Sequence, residues 1–343
     1  MDPMEEFFFD LKGFTVLKGA LGPDELASIN KWIDAREPQI RHAIAHDDVD
    51  YVPSPPMLSL DGMQVQSYHN GAHNAHIGHA DDGINLQYPY EAAGVFESLI
   101  DHPSWMPRVR HYLGAGSQPY LHELFINLRG PGGYIGCHGG GPQFTQAGTQ
   151  LRSPWGAAAF RSADASSRSA DSAQGTHRGH LVTWAVPYMS IIVALADIGE
   201  GDGATVCVPS SHKSIVGHPV QQQMVTEGGD VEGSVEMHLK AGEALVFQDS
   251  LIHGAAARVS QGWRRTLCFR YLPQECSHDR FGHTPSEACM ARLTPARREI
   301  LTQRAAESDP WGNTHVKLAA AAEGRDLKGG KLAGDAGHSY SKL

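Results

Sequence analysis

Short segments rich in β-branched and aromatic residues constrain the fold of this chain more than any other feature. They cover residues 120–128, 182–196, 205–208, 244–247 and 266–272, with Gly, Pro, Asp and Ser between them. Runs of this kind predict strands, and short strands at this spacing are typical of an antiparallel barrel or a jelly roll. We therefore predict a mainly β fold with flanking helices.

The regions on either side of the strands show a helical period. Leu26, Ile29 and Ile33 recur on one helical face, and further helical patterns cover 90–113 and 294–307. For 343 residues we predict one enlarged domain. Its expected parts are an N-terminal segment of helices and loops at 1–115 packing on the barrel, a β core at 116–275 with a polar lid insertion at 143–180, a helical segment at 276–318 and a flexible tail at 319–343.

Composition narrows the possible functions. The chain has 28 Lys and Arg against 38 Asp and Glu, a formal charge of −10 that repels polyanions, so we expect no nucleic-acid partner. No stretch approaches the roughly 20 apolar residues of a membrane helix, so we expect a soluble protein with no membrane partner. Five cysteines without CxxC spacing predict reduced thiols, and 20 histidines justify a search for a transition-metal site.

Two histidines stand where strand-like runs end. His138 is followed by three glycines, which allow a tight bend and close approach to a ligand, and His253 follows the strand-like run 245–252. A barrel that brings them together would offer two imidazoles to one metal. Two histidines and one carboxylate with open positions are the signature of non-haem Fe(II) oxygenases. Asp249 is interpreted either as a partner that orients His253 or as a turn residue.

Arg264 lies eleven positions after His253, just before a predicted strand. A guanidinium group there could hold the distal carboxylate of an organic acid in a bidentate manner, and such an acid would be 2-oxoglutarate. Arg265 competes for this role, since alternation along a strand lets only one of the two face inward.

Several motifs occur in a defined order around these residues. They are FFDLKGFTV at 8–16 followed by the helix at 23–34, then His138, ADIGEGDG at 196–203, VPSSHK at 208–213, and GEA at 242–244 leading to His253 and Arg264. This order, over roughly residues 5–273, resembles the phytanoyl-CoA dioxygenase family of Fe(II)/2-oxoglutarate-dependent oxygenases.

The resemblance implies a cupin-like double-stranded β-helix that holds Fe(II) through His138 and His253. It also implies that the cosubstrate 2-oxoglutarate binds Arg264, which the family spacing favours over Arg265. The reaction implied is the use of O2 to hydroxylate an aliphatic C–H bond of a small-molecule or acyl substrate.

The sequence departs from the family at Gly140, where the His-x-Asp motif has its carboxylate. The change removes a negative charge from the metal and vacates a coordination position. The resulting His-x-Gly arrangement resembles that of the aliphatic halogenases, in which a halide such as chloride takes the vacated position. Three hypotheses stay open: a hydroxylase whose gap is filled by water, Asp164, Asp171 or Glu123, a halogenase, and a catalytically inactive binding protein of the same fold.

The last three residues, Ser341-Lys342-Leu343, form a tripeptide that the peroxisomal import receptor reads at an exposed C-terminus. We therefore expect this receptor as a partner and a peroxisomal location if the source is eukaryotic, and a cytoplasmic location otherwise.

Overall fold

A computed structural model describes most of the barrel and its flanking helices. The described residues are 1–46, 59–67, 83–113, 118–139, 143–144, 150–151, 161–162, 182–183, 188–214, 218, 231–274 and 283–302. Gly140, Asp164, Asp171, most of the expected lid and the whole C-terminal tripeptide lie outside them. All the described residues fall within one compact unit, Met1–Ala305.

Six α-helices are found in the described residues: α1 Pro3–Lys12, α2 Pro23–Asp34, α3 Glu37–His46, α4 Met106–Tyr112, α5 Glu287–Arg292 and α6 Pro295–Leu301. Short 3-10 helices cover Pro89–Glu91, Gly94–Asp101 and Ser211–Lys213. Helix α2 begins where the sequence predicts, because Pro23 fits the first helical position and the Glu25 carboxylate accepts the Gly22 N–H at 3.0 Å. No helix in the described part of the chain is long and apolar enough to cross a membrane.

The strands of the described residues are β1 Phe14–Leu17, β2 Ser59–Leu60, β3 Met63–Ser67, β4 Gly83–Gln87, β5 Pro119–Arg129, β6 Ile135–His138, β7 Gln143–Phe144, β8 Gln150–Leu151, β9 Arg161–Ser162, β10 Val182–Thr183, β11 Met189–Ala194, β12 Thr205–Cys207, β13 Val235–Met237, β14 Ala244–Gln248, β15 His253–Ala255 and β16 Arg264–Pro273. Eight of them form an antiparallel sheet in the order β1-β14-β11-β16-β5-β4-β3-β2, and four form a second sheet in the order β13-β12-β15-β6. The strands β7 with β8 and β9 with β10 form two small ribbons. The expected double-stranded β-helix is confirmed.

The large sheet has two different faces because side chains alternate along each strand. On β16, Leu267, Phe269 and Tyr271 are fully buried in the core that the sheet shares with the helices. Arg264 lies on the opposite face, where its Nη2 donates to Thr205 Oγ1 of the second sheet at 3.1 Å. The face that carries Arg264 therefore lines the space between the two sheets, the barrel interior, which also holds an apolar cluster that includes Leu245 and Phe247 of β14.

The expectation of helices and loops alone over residues 1–115 is wrong. This region contributes β1 to one edge of the large sheet and β2, β3 and β4 to the other. The error has a physical reason, since β3 reads Met-Gln-Val-Gln-Ser and carries a single β-branched residue, so its strand state depends on pairing with β4. The predicted run 182–196 is also two strands, β10 and β11. The described cysteines, Cys137, Cys207, Cys268 and Cys289, are free thiols.

Candidate functional site

Strand pairing places His138 and His253 opposite each other. β6 and β15 are antiparallel neighbours in the four-stranded sheet, and the two histidines are directly opposite each other in the register. Their ring centroids lie 4.2 Å apart. Phe247 of the large sheet contacts the His253 ring edge-on at 4.7 Å, so the pair lies between the two sheets.

Each of these rings is oriented by a backbone carbonyl of its own chain segment. His138 Nδ1 lies 2.9 Å from the carbonyl oxygen of Gly136, and His253 Nδ1 lies 2.7 Å from that of Leu251. A carbonyl oxygen only accepts hydrogen bonds, so Nδ1 carries the proton in both rings. In the neutral ring this leaves Nε2, with its lone pair, as the atom of each histidine that could bind a metal.

The surroundings keep both imidazoles neutral. Burial lowers the pKa of His138 well below its ordinary value, and the repulsion that a protonated His253 would exert lowers it further. Burial also lowers the pKa of His253, against the opposing influence of Asp249. A metal binds only the unprotonated imidazole, so the pair is in its ligating form at neutral pH.

Close packing of glycine holds the two strand ends together. Gly254 has no side chain, and a Cβ there would lie 2.6 Å from the Ile135 carbonyl oxygen on β6. Gly139 has a φ of +87°, and a Cβ there would collide with the Leu251 carbonyl oxygen and lie 3.0 Å from that of Asp249. The segment after His138 therefore contacts the turn before His253.

Asp249 and Glu123 are the buried carboxylates of this region. Asp249 Oδ1 lies 3.8 Å from His253 Nε2 and accepts a hydrogen bond from Ser190 Oγ at 2.8 Å. Glu123 Oε2 instead forms a 3.1 Å ion pair with Arg270 Nη1 on the neighbouring strand. Within the part of the chain that the structure describes, no three His, Cys, Asp or Glu side chains are grouped closely enough to form a ready-made metal site.

Arg264 and Arg265 point to opposite sides of the large sheet. Arg264 is buried in the barrel interior, whereas Arg265 forms a 2.6 Å ion pair with Asp34 of α2 on the outer side. Sequence reasoning missed Arg129, which lies directly opposite Arg264 in the β5–β16 register and is 2% exposed. Its signal in the sequence was its place at the end of the strand-like run 120–128, on the same alternating face as Asn127. Two guanidinium groups thus lie side by side in the interior.

A fold of two antiparallel sheets with two facing histidines and buried arginines between them defines the class of double-stranded β-helix proteins with a candidate two-histidine metal centre. The profile of the phytanoyl-CoA dioxygenase (PhyH) family matches residues 142–266, a segment that includes His253 and Arg264 and begins four residues after His138. Residues 142–266 therefore match a phytanoyl-CoA dioxygenase family domain, which confirms the resemblance seen in the sequence.

Two curated fungal dioxygenases resemble part of this chain. Dioxygenase trt7 of Aspergillus terreus is 28% identical over 121 residues, which are 35% of this chain and 39% of that protein. Dioxygenase cdmD of Talaromyces verruculosus is 30% identical over 117 residues, 34% of this chain and 36% of that protein. The matched segment thus spans less than two fifths of either relative.

The crystal structure of HygX from Streptomyces hygroscopicus with nickel and 2-oxoglutarate bound shares the fold. The TM-score is 0.51 at 19% identity, and the alignment covers 80% of this chain and 87% of HygX. The iron-bound HygX structure gives the same TM-score at 18% identity, with the same coverage of both chains.

Proposed function

We propose that this protein is an Fe(II)/2-oxoglutarate-dependent oxygenase that uses O2 to hydroxylate an aliphatic C–H bond of a small-molecule or acyl substrate. The observation that carries the proposal is the pair His138 and His253, which lie opposite each other in the register with each Nδ1 hydrogen-bonded to a backbone carbonyl. The iron and nickel bound by HygX and the dioxygenase names of the fungal relatives support it.

The donor set fits iron. Imidazole nitrogen suits Fe(II), and two histidines leave positions for a bidentate cosubstrate and for O2. Bound iron supplies O2 activation coupled to oxidative decarboxylation of 2-oxoglutarate. His138 and His253 would hold the metal, Arg264 with Thr205 would bind the distal carboxylate of the cosubstrate, and Arg129 would add a second positive charge beside it.

The alternative is a halogenase that places chloride in the position vacated by the motif carboxylate. The observation that favours it is Gly140 in the sequence. Both enzymes would consume 2-oxoglutarate and form succinate, and they differ in the product and in the response of the metal to chloride. A catalytically inactive binding protein of this fold would form no succinate.

The deciding experiment is an anaerobic titration of the apo-protein with Fe(II) and 2-oxoglutarate, with and without chloride. The proposed site gives a metal-to-ligand charge-transfer band in the visible range, and His138→Ala and His253→Ala each lose it. His238→Ala is the matched control, because that side chain is half exposed and bonded to Glu236. A band that persists in both site variants, or no band in the folded wild type, contradicts the proposed function, and a chloride-dependent shift favours the halogenase.

We also propose a peroxisomal location in a eukaryotic cell, read from Ser341-Lys342-Leu343 by the import receptor. A fluorescent protein fused ahead of residue 1 tests it by co-localisation with a peroxisomal marker. Deletion of Leu343 alone is the control, and unchanged localisation of that variant contradicts the proposal.

A further inference from the structure

We propose that Asp249 supplies the carboxylate that the family motif places at position 140, so that the metal is held by His138, His253 and Asp249. The inference deepens the proposed function and rests on the two-histidine site. It uses a residue from the turn before the second histidine instead of one from the segment after the first.

The position of Asp249 relative to the second histidine is the first argument. Its Oδ1 lies 3.8 Å from His253 Nε2. The other ring nitrogen, Nδ1, is already hydrogen-bonded to the Leu251 carbonyl, so Nε2 is the nitrogen that could bind a metal. Donor atoms at neighbouring positions around an ion, with bonds of about 2.1 Å, are about 3 Å apart. A shift of less than about 1 Å thus brings the carboxylate to ligand spacing, within the reach of one side-chain rotation.

The contact between the two strand ends is the second argument. Gly139 can approach the turn at 249–251 closely only because it has no side chain and adopts a positive φ. Gly140, where the motif carboxylate is missing, is the next residue in the chain. The turn that carries Asp249 therefore contacts Gly139, the residue just before the position where the motif carboxylate is missing.

The bonding of the buried carboxylates is the third argument. Glu123 faces Arg270 directly in the register and is held by it at 3.1 Å. Asp249 is 4% exposed, its Oδ1 accepts a hydrogen bond from the neutral Ser190 hydroxyl, and Arg270, which pairs directly with Glu123, also attracts it electrostatically. A buried carboxylate beside two neutral imidazoles is stabilised by a divalent cation bound among them. Asp249 is therefore the stronger candidate for the third ligand, and a protein carboxylate in that position favours hydroxylation over binding of a halide.

The test is the affinity of the apo-protein for Co(II), used as an oxygen-stable probe and measured by titration calorimetry without 2-oxoglutarate. Asp249→Asn keeps an acceptor for Ser190 and removes the charge, and we expect its affinity to fall at least about tenfold. Glu123→Gln is the matched control, a buried carboxylate on β5 of the same sheet changed to its amide, and we expect less than about a threefold change in it. Equal losses in the two variants, or none in Asp249→Asn, overturn the proposal.

Substitution of Gly140 gives a second test that leaves Asp249 in place. If Asp249 is already a ligand, Gly140→Asp changes the Co(II) affinity of the wild type by less than about threefold and restores the affinity lost in Asp249→Asn. A gain of tenfold or more in the single variant overturns the proposal while leaving the two-histidine site intact. Failure of the proposed function is distinguishable, because the wild type would then show no Co(II) binding that depends on His138 and His253.

Discussion

The imidazole rings of His138 and His253 are oriented by the same kind of local hydrogen bond. The Nδ1–H group of each ring donates a hydrogen bond to the carbonyl oxygen of the residue two positions earlier in the chain. The orientation of each imidazole is therefore set within its own segment, and the pairing of β6 with β15 only has to bring two oriented rings together. The sequence alone identifies both histidines as candidate metal ligands from their positions at strand ends, but it does not show the hydrogen bonds that orient their rings.

Neutral buried histidines make the stability of the apo-protein depend on pH. The folded pKa of His138, His253 and His212 lies below the unfolded value of about 6.5, so below that pH the unfolded chain binds more protons. We expect the free energy of unfolding to fall as the pH drops from 7 to 5, by up to about 1.4 kcal/mol per pH unit for each histidine.

Thermal unfolding of the metal-free protein at several pH values measures this dependence. We expect His253→Gln to reduce the slope with pH and the exposed-site variant His238→Gln to retain it. An unchanged slope in His253→Gln would contradict the neutral state that we assign to the pair.

The neighbouring arginines Arg264 and Arg265 provide a matched pair for cosubstrate binding. Arg264→Lys replaces the planar fork in the interior by a point charge, and we expect KM for 2-oxoglutarate to rise at least about tenfold with a smaller change in kcat. Arg265→Lys changes outer contacts with α2, a hydrogen bond to Asn30 and an ion pair with Asp34 that is worth at most about 1 kcal/mol. Steady-state succinate assays check this, and similar KM values for the two variants would remove Arg264 from the cosubstrate site.

Among the structural elements, the junction between the end of β6 and the turn after β14 depends most on a single glycine. Gly139→Ala adds a Cβ that collides with the Leu251 carbonyl and forces a non-glycine residue into a positive φ. Gly233→Ala is the matched control, since Gly233 has a φ of +81° and no atom within 4 Å of an added Cβ. We expect about 1 kcal/mol of destabilisation in Gly233→Ala and at least about twice that in Gly139→Ala.

Denaturant unfolding compares the two glycine variants, and Co(II) titration reports whether the histidine pair survives. We expect Gly139→Ala to weaken Co(II) binding and Gly233→Ala to leave it unchanged. Equal destabilisation of the two variants would show that the contact with the 249–251 turn is unimportant.

Helix α1 is anchored by one aromatic residue and exposes another. Phe9 is fully buried and stacks on Tyr112 with ring centroids 4.1 Å apart, whereas Phe8 is 42% exposed. We expect Phe9→Ala to lower the free energy of unfolding by about 3–5 kcal/mol and Phe8→Ala to change it by less than about 1 kcal/mol. Calorimetric unfolding of both variants checks this, and equal effects would contradict the packing of α1 on α4.

Helix α1 also contacts the barrel at His212. The His212 Nε2 lies 2.9 Å from the Asp10 carbonyl oxygen, and a Cβ at Gly13 would lie 2.6 Å from His212 Nδ1. The sequence motif around His212 therefore has a structural role: it packs the N-terminal helix against the turn after β12.

Across the whole molecule, sequence reasoning succeeded where local signals are strong and failed where distant pairing decides. β5 and β16 are long and rich in strand-forming residues, so both were predicted. β6 and β15 are short and contain glycine, which propensity disfavours, yet each is stabilised by its partner. The placement of Ser190 beside Asp249, 59 residues apart, has no local sequence signal at all.

The distribution of charge over the molecule has a kinetic consequence. The chain carries a formal charge of −10, while Arg129 and Arg264 hold two positive charges side by side in the interior. A dianionic cosubstrate is therefore repelled at long range and attracted only after it enters the barrel. Because the Debye length falls from about 30 Å at 0.01 M salt to about 8 Å at 0.15 M, added salt weakens the repulsion more than the buried attraction. Stopped-flow measurements should show the association rate constant of 2-oxoglutarate rising with ionic strength, the reverse of the usual behaviour of an oppositely charged enzyme and ligand.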